Sequence, residues 1–128
     1  MTPGTPVEVA GAELTVEAIP LSHGGMDSTA FLVSAGPDAL VYLGDTGPDA
    51  VEKQGRLAAL WDRLAPLVRA RRLRALFLEC SFADPRPEAQ LFGHLTPQWI
   101  VRELDALAAR VEAKGGAQPL RGLSLVIT

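Results

Sequence analysis

Residues 39–49 read ALVYLGDTGPD, an apolar run that stops at Gly44 and an aspartate, Asp45. Such a run suits a buried strand, and Gly, Thr and Pro directly after it suit a chain that must turn away. Asp45 then has two readings. It is a turn residue whose carboxylate bonds nearby backbone N–H groups. Or it is a ligand displayed at a strand end, where glycine lets the backbone pass close to a bound group. Local composition favours the turn.

The flanking segments read as an alternation of strands and helices. TAFLVSA (29–35) is a strand, and Gly36-Pro37-Asp38 turns it back into 39–43 as a hairpin. Upstream, ELTVEAIPL (13–21) alternates Leu14, Val16 and Ala18 with Glu13, Thr15 and Glu17, the period of a half-buried strand. Pro20 is expected to end that strand, leaving LSHGGMDS (21–28) as a glycine-containing loop, and residues 1–12 form a loose entry. Downstream, Leu57, Leu60, Trp61, Leu64, Leu67 and Val68 share one helix face, with Pro66 predicting a kink or two short helices. The basic RARRLR after it reads as a solvated helix end.

RALFLE (74–79) is a buried strand ending on Glu79, followed by a loop over 80–95. Thr96 and Pro97 supply an N-cap and a first-turn proline for a helix with Ile100, Leu104, Leu107, Ala108 and Val111 on one face. Gly115-Gly116 is expected to end it. LSLVIT (123–128) is a last strand. The class is α/β, a mixed sheet with helices on one face. A buried strand that stops at Thr128 without turn or cap predicts a fragment, or a domain whose partner elements lie elsewhere.

A chain of 128 residues holds one domain at most, and 48% hydrophobic with 21% charged residues is a globular balance. The net charge of −3 argues against a general electrostatic grip on nucleic acid or anionic membrane. The single cysteine, Cys80, forms no internal disulfide, so a reducing cytoplasm is the default expectation. No leader pattern and no membrane-spanning apolar run is present.

Polar residues gather at the element ends: Ser22-His23-Gly24-Gly25, Gly44-Asp45-Thr46-Gly47, Glu79-Cys80-Ser81 and Gly93-His94-Leu95-Thr96. In helix-covered sheets such ends converge at one edge, where ligands bind. Both of the chain's histidines lie in these segments beside glycine. Histidine with carboxylate suits zinc, manganese or iron, and a catalytic ion takes about three protein ligands. His23 and Asp45 are candidates, with His94 a third, too few for a dinuclear site. The plainer readings are a hydrogen-bonding histidine in a glycine loop, Glu79 paired with an arginine, and Cys80 as a small apolar residue.

In order and spacing, PLSHGG (20–25), STAFLV (28–33), VYLGDTGPD (41–49), RALFLECSF (74–82) and LFGHLTP (91–97) resemble the class II cyclic-nucleotide phosphodiesterases, of the metallo-β-lactamase fold. LRGLSLVIT (120–128) is similar to the strand before that family's last ligand histidine. The resemblance implies an αβ/βα sandwich, represented here mainly by its second half as a single partial domain over 1–128. It implies His23 and Asp45 as metal ligands, Asp45 bridging two ions, zinc first among them. It implies Glu79 and His94 as the catalytic pair known from the related ribonuclease Z group, glutamate orienting the histidine that protonates the leaving oxygen. Ser81 and Thr46 would contact substrate or support the ligands.

The family's His-x-His-x-Asp-His motif is absent, and its last histidine would fall just after Thr128. The implied reaction is hydrolysis of 3′,5′-cyclic nucleotides, cyclic AMP among them, to 5′-monophosphates by a hydroxide between two metals. The alternatives are an inactive fragment or assembly partner, with self-association open, and a ribonuclease Z-like RNA phosphodiesterase, against which the acidic charge weighs. A sheet missing its companion would expose apolar surface.

Overall fold

The computed structural model describes residues 1–112 and 118–128. Four strands, β1 (Val7–Glu8), β2 (Thr15–His23), β3 (Met26–Ala35) and β4 (Asp38–Leu43), form an antiparallel run. A short α1 (Asp49–Glu52) and a long α2 (Arg56–Arg69) lead to β5 (Leu73–Leu78), parallel to β4. α3 (Pro97–Glu112) leads to β6 (Ser124–Ile127), parallel to β5. The sheet order is β1-β2-β3-β4-β5-β6. The mixed sheet expected from the alternation of elements is therefore present. Parallel neighbours joined by helices place the crossovers on one side of a sheet, because such connections share one hand.

Buried residues mark that covered face: Ile19, Leu21, Ala30, Leu32, Val41, Leu43, Leu76 and Leu78 point at Leu57, Leu60, Trp61 and Leu64 of α2. The opposite face carries Phe31, Tyr42 and Val126, all exposed, beside Val33, Leu40 and Phe77. The rings of Tyr42 and Phe77 are 5.8 Å apart on it. This face is an open apolar surface.

Two expectations for β2 are corrected. Its alternation is real, but the helix side takes the odd residues, Glu17, Ile19 and Leu21, while Leu14 is exposed. Glu17 is tolerated there because Arg63 of α2 grips it with two nitrogens, at 2.8 and 3.2 Å. Nor does Pro20 end the strand: β2 continues to His23, with Pro20 opposite Thr29. The carbonyls of Ala18 and Ser22 go to Gly4 and Gly47 rather than to β3. Pro20 shares their outward side, where a missing N–H interrupts no ladder bond.

α2 runs through Pro66 as one helix, with Pro66 in its last turn, instead of dividing in two. Its N-cap, Gly55, offers no side chain, and Asp49 caps it from α1, accepting from Leu57 N at 3.0 Å and Ala58 N at 2.7 Å. Thr96 caps α3 as expected, its hydroxyl 3.4 Å from Trp99 N. The predicted stop at Gly115-Gly116 lies outside the described residues. No helix among the described residues is long and apolar enough to cross a membrane.

α2 and α3 are joined inside the core by Trp61 Nε1, which donates to Glu103 Oε2 at 2.8 Å. Burial pushes the Glu103 carboxyl up; the Trp61 bond pulls it down less than burial raises it, and the nearby negative Asp49 raises it further. A folded-state pKa above the unfolded one means stability greatest in acid and lost as pH rises through the raised value. Glu103→Gln keeps an acceptor for Trp61 without the charge. It should raise the thermal midpoint by a few degrees at pH 7, with the gain vanishing near pH 4, as followed by circular dichroism.

Candidate functional site

The two glycines after His23 make the turn that sequence patterning assigns to a longer loop. Gly24 and Gly25 have φ of 59° and 84°, and His23 pairs with Met26 across them. Positive φ at both central positions is the tight hairpin turn whose twist matches its strands. His23 is thus the last paired residue of β2, on a rigid element.

A second loop docks onto that turn. A Cβ on Gly93 would meet the His23 carbonyl carbon at 2.6 Å and His23 Nδ1 at 2.7 Å, so a glycine is required there. The Gly93 carbonyl lies 2.9 Å from His23 Nδ1. A carbonyl can only accept, so Nδ1 carries the proton and Nε2 keeps its lone pair free.

Asp45 is placed by Gly44, where a Cβ would come within 2.8 Å of Ser28 Oγ and the Thr29 carbonyl. Asp45 itself is exposed. The bonds that hold its loop belong to its neighbours. Gly47 N donates to the Ser22 carbonyl at 3.0 Å, and Thr46 Oγ1 lies 3.2 Å from the Ser22 and Gly47 carbonyls. Thr46 is fully buried, behind the site rather than on its surface. The turn reading needs Asp45 to accept from backbone, and no such bond occurs among the described residues.

Glu79, 6% exposed, stands just past β5 and is surrounded by donors. Its Oε1 lies 3.1 Å from His94 Nδ1 and 3.1 Å from Leu95 N, and its Oε2 accepts from Ser81 Oγ at 2.8 Å. Ser81 Oγ is also 3.1 Å from His94 Nδ1. The carboxylate accepts only, so His94 too holds its proton on Nδ1 and presents Nε2 outward. Among the described residues, Glu79 pairs with no arginine. Cys80 is half-buried, and burial first, then Glu79 and Asp84, push its thiol up, away from a reactive thiolate.

These pieces converge. The His23 and His94 rings meet edge to face at 4.6 Å. Ligand atoms of His23, Asp45 and His94 all lie within 4.8 Å of one another. Zinc holds imidazole nitrogen and carboxylate oxygen at about 2.0–2.2 Å, so donors on one ion lie up to about 4 Å apart. Two imidazoles with fixed tautomers and one exposed carboxylate fit a divalent ion after a sub-ångström closure. The same donor set suits zinc, manganese or iron.

One residue of this arrangement carries no sequence signal. Glu52, at the end of α1, accepts from Gly24 N at 2.9 Å and from Ser22 Oγ at 2.9 Å, gripping the backbone after His23 and the side chain before it. A Cβ on Gly47 would lie 2.8 Å from Glu52 Cγ, so Gly47 makes room for the grip. Only the three-dimensional path of the chain reveals it.

Comparison with known proteins gives the chain a family. The family model for class-II cAMP phosphodiesterases matches residues 5–128. The chain is 40% identical to the 3′,5′-cyclic-nucleotide phosphodiesterase of Aliivibrio fischeri, over all of this chain and 38% of that one. It superimposes on unliganded yeast PDE1 with a TM-score of 0.86 at 24% identity, covering 100% of this chain and 37% of that one. It also matches YhfI of Bacillus subtilis, a metallo-β-lactamase fold protein, with a TM-score of 0.56 at 15% identity, over 100% of this chain and 51% of that one. The fold is that of the metallo-β-lactamases, and the chain spans under two fifths of the length of the curated relatives it matches. With the family model covering nearly every residue, the chain belongs to the class-II cAMP phosphodiesterases.

Proposed function

We propose that His23, Asp45, Glu79 and His94 form part of the active site of a metal-dependent phosphodiesterase. It opens the 3′,5′-cyclic phosphodiester of cyclic AMP and releases the nucleoside 5′-monophosphate. The observation that carries this reading is the convergence of His23, Asp45 and His94, each histidine with Nδ1 engaged and Nε2 free. Family membership supports the substrate class.

His23 and Asp45 would hold the metal, zinc first, manganese or iron by the same donors. When bound, a divalent ion supplies charge stabilisation to the phosphoryl oxygens and a water acidic enough to ionise near neutral pH. The chain's own residues do the rest. As general acid, His94 would take up a proton on its free Nε2 and give it to the 3′-oxygen as the P–O3′ bond breaks and water-derived oxygen joins phosphorus. Glu79 accepts from Nδ1 throughout, which fixes the ring and stabilises the imidazolium. Ser81 steadies both partners, and exposed beside them it can meet a phosphoryl oxygen. The 4.8 Å limit of the cluster favours a second reading of His94, as a ligand.

Three substitutions separate these roles in the protein that carries this chain. Asp45→Asn should lower metal-dependent hydrolysis of cyclic AMP at least 100-fold, and near-normal activity would sink its assignment as a ligand. His94→Ala should lower kcat about 100-fold or more with metal content retained by elemental analysis. Metal lost along with activity would make His94 a ligand instead. Glu52→Ala should weaken metal affinity about tenfold and, in metal-free protein, speed exchange of the Gly24 amide; unchanged exchange would remove Glu52 from the site.

A further inference from the structure

Beside the histidines, a series of flat groups leads outward. Phe82 stands edge-on to His94 at 5.8 Å. The Arg86 guanidinium lies 3.8 Å over the Phe82 ring and 5.9 Å from the Phe92 ring. Phe92, two residues before His94, is 65% exposed, although Leu91 and Gly93 on either side of it are buried.

That exposure is built in. His94 N donates to the Leu91 carbonyl at 3.0 Å, closing a turn whose central residues, Phe92 and Gly93, have φ of 51° and 82°. Such a turn favours Gly, Asn or Asp at its first central position, and a bulky side chain there is an outlier. The backbone of Phe92 is held in place by the hairpin: a Cβ on Gly24 would sit 3.2 Å from its carbonyl oxygen. The fold thus fixes an unfavourable backbone conformation and sends a phenyl ring into solvent at the edge of the histidine pair. Strain of this kind concentrates where it serves binding.

Arg86 adds the second half of a recognition surface. Its Nε donates to the Gln90 carbonyl at 2.9 Å, which orients the guanidinium plane. It takes part in none of the ion pairs among the described residues. Its terminal nitrogens keep their donors for a ligand. A flat aromatic face beside an oriented, unpaired guanidinium suits a planar heterocycle with acceptor atoms on its edge.

We propose that Phe92, backed by Arg86 and Phe82, is the platform on which the nucleobase of the substrate stacks while its phosphate lies at His23, Asp45 and His94. This assignment rests on the proposed phosphodiesterase reading. It adds a base-binding surface that tells a nucleotide from a bare sugar phosphate. A stacked base contributes binding in a sequence-tolerant way, since every base has a π face. The platform therefore predicts affinity for nucleotides whatever their base.

The test uses the metal-loaded protein that carries this chain, with two probes followed by calorimetry: adenosine 5′-monophosphate and ribose 5-phosphate. Phe92→Ala should weaken the nucleotide about 10- to 100-fold and leave ribose 5-phosphate within twofold. Phe92→Gly, which relieves the positive φ, should weaken it equally without lowering the thermal midpoint, and Phe92→Trp should restore it. If wild-type protein binds both probes and Phe92→Ala weakens neither, or weakens both alike, the platform is wrong and the phosphodiesterase reading stands. If wild type binds neither probe, both fall.

Discussion

A carboxylate buried at the end of a strand has to be surrounded by donors, and Glu79 shows how much of a site that requirement can organise. Its two oxygens reach the backbone of Leu95, the ring of His94 and the hydroxyl of Ser81, with Thr46 N at 3.5 Å on the remaining side. Those partners belong to the loop after β4 and to both ends of the connection between β5 and α3. Loops are ordinarily the variable, mobile parts of a sheet protein. Here one charge draws two of them to the same point and folds the second back on itself, and the tautomer of His94 follows from its single capacity to accept.

The hairpin of β2 and β3 is held by a different device, close approach at glycines. Gly93 lies against His23 and Gly24, and Gly47 against Glu52, in spaces where a methyl group would collide. Backbone can then approach backbone, and short hydrogen bonds such as Gly93 O with His23 Nδ1 become available. Below this layer, Trp61 and Glu103 tie the two long helices together, and Asp49 satisfies the first turn of α2. The site edge and the helix layer are therefore coupled through α1, whose two acids serve one each.

Much of this was legible in order and spacing. Asp45, Glu79, His23 and His94 stand at element ends, where periodicity breaks and glycine clusters, so their convergence could be read before any coordinates. The misreadings have physical causes. Pro20 breaks strands when its N–H side faces a neighbour, and residue order alone does not say which side that is. Glu17 looked solvent-facing because a lone carboxylate in a core is costly, and Arg63, its remedy, lies 46 residues away in sequence. Glu52 belongs to no pattern, and Phe92 lies in LFGHLTP with no role assigned to it there. Their significance comes from what the turn at Gly24 and the turn at Phe92-Gly93 place beside them.

The uncovered face of the sheet has a thermodynamic consequence. Phe31, Tyr42 and Val126, with Val33, Leu40 and Phe77 between them, keep a continuous apolar area in contact with water. Covering such an area releases its hydration shell with little enthalpy change near room temperature and a negative heat-capacity change. Whatever surface closes over these rings is gripped more loosely in the cold than in the warm. The half of the sheet that the helices cover is already dry and takes no part in that exchange.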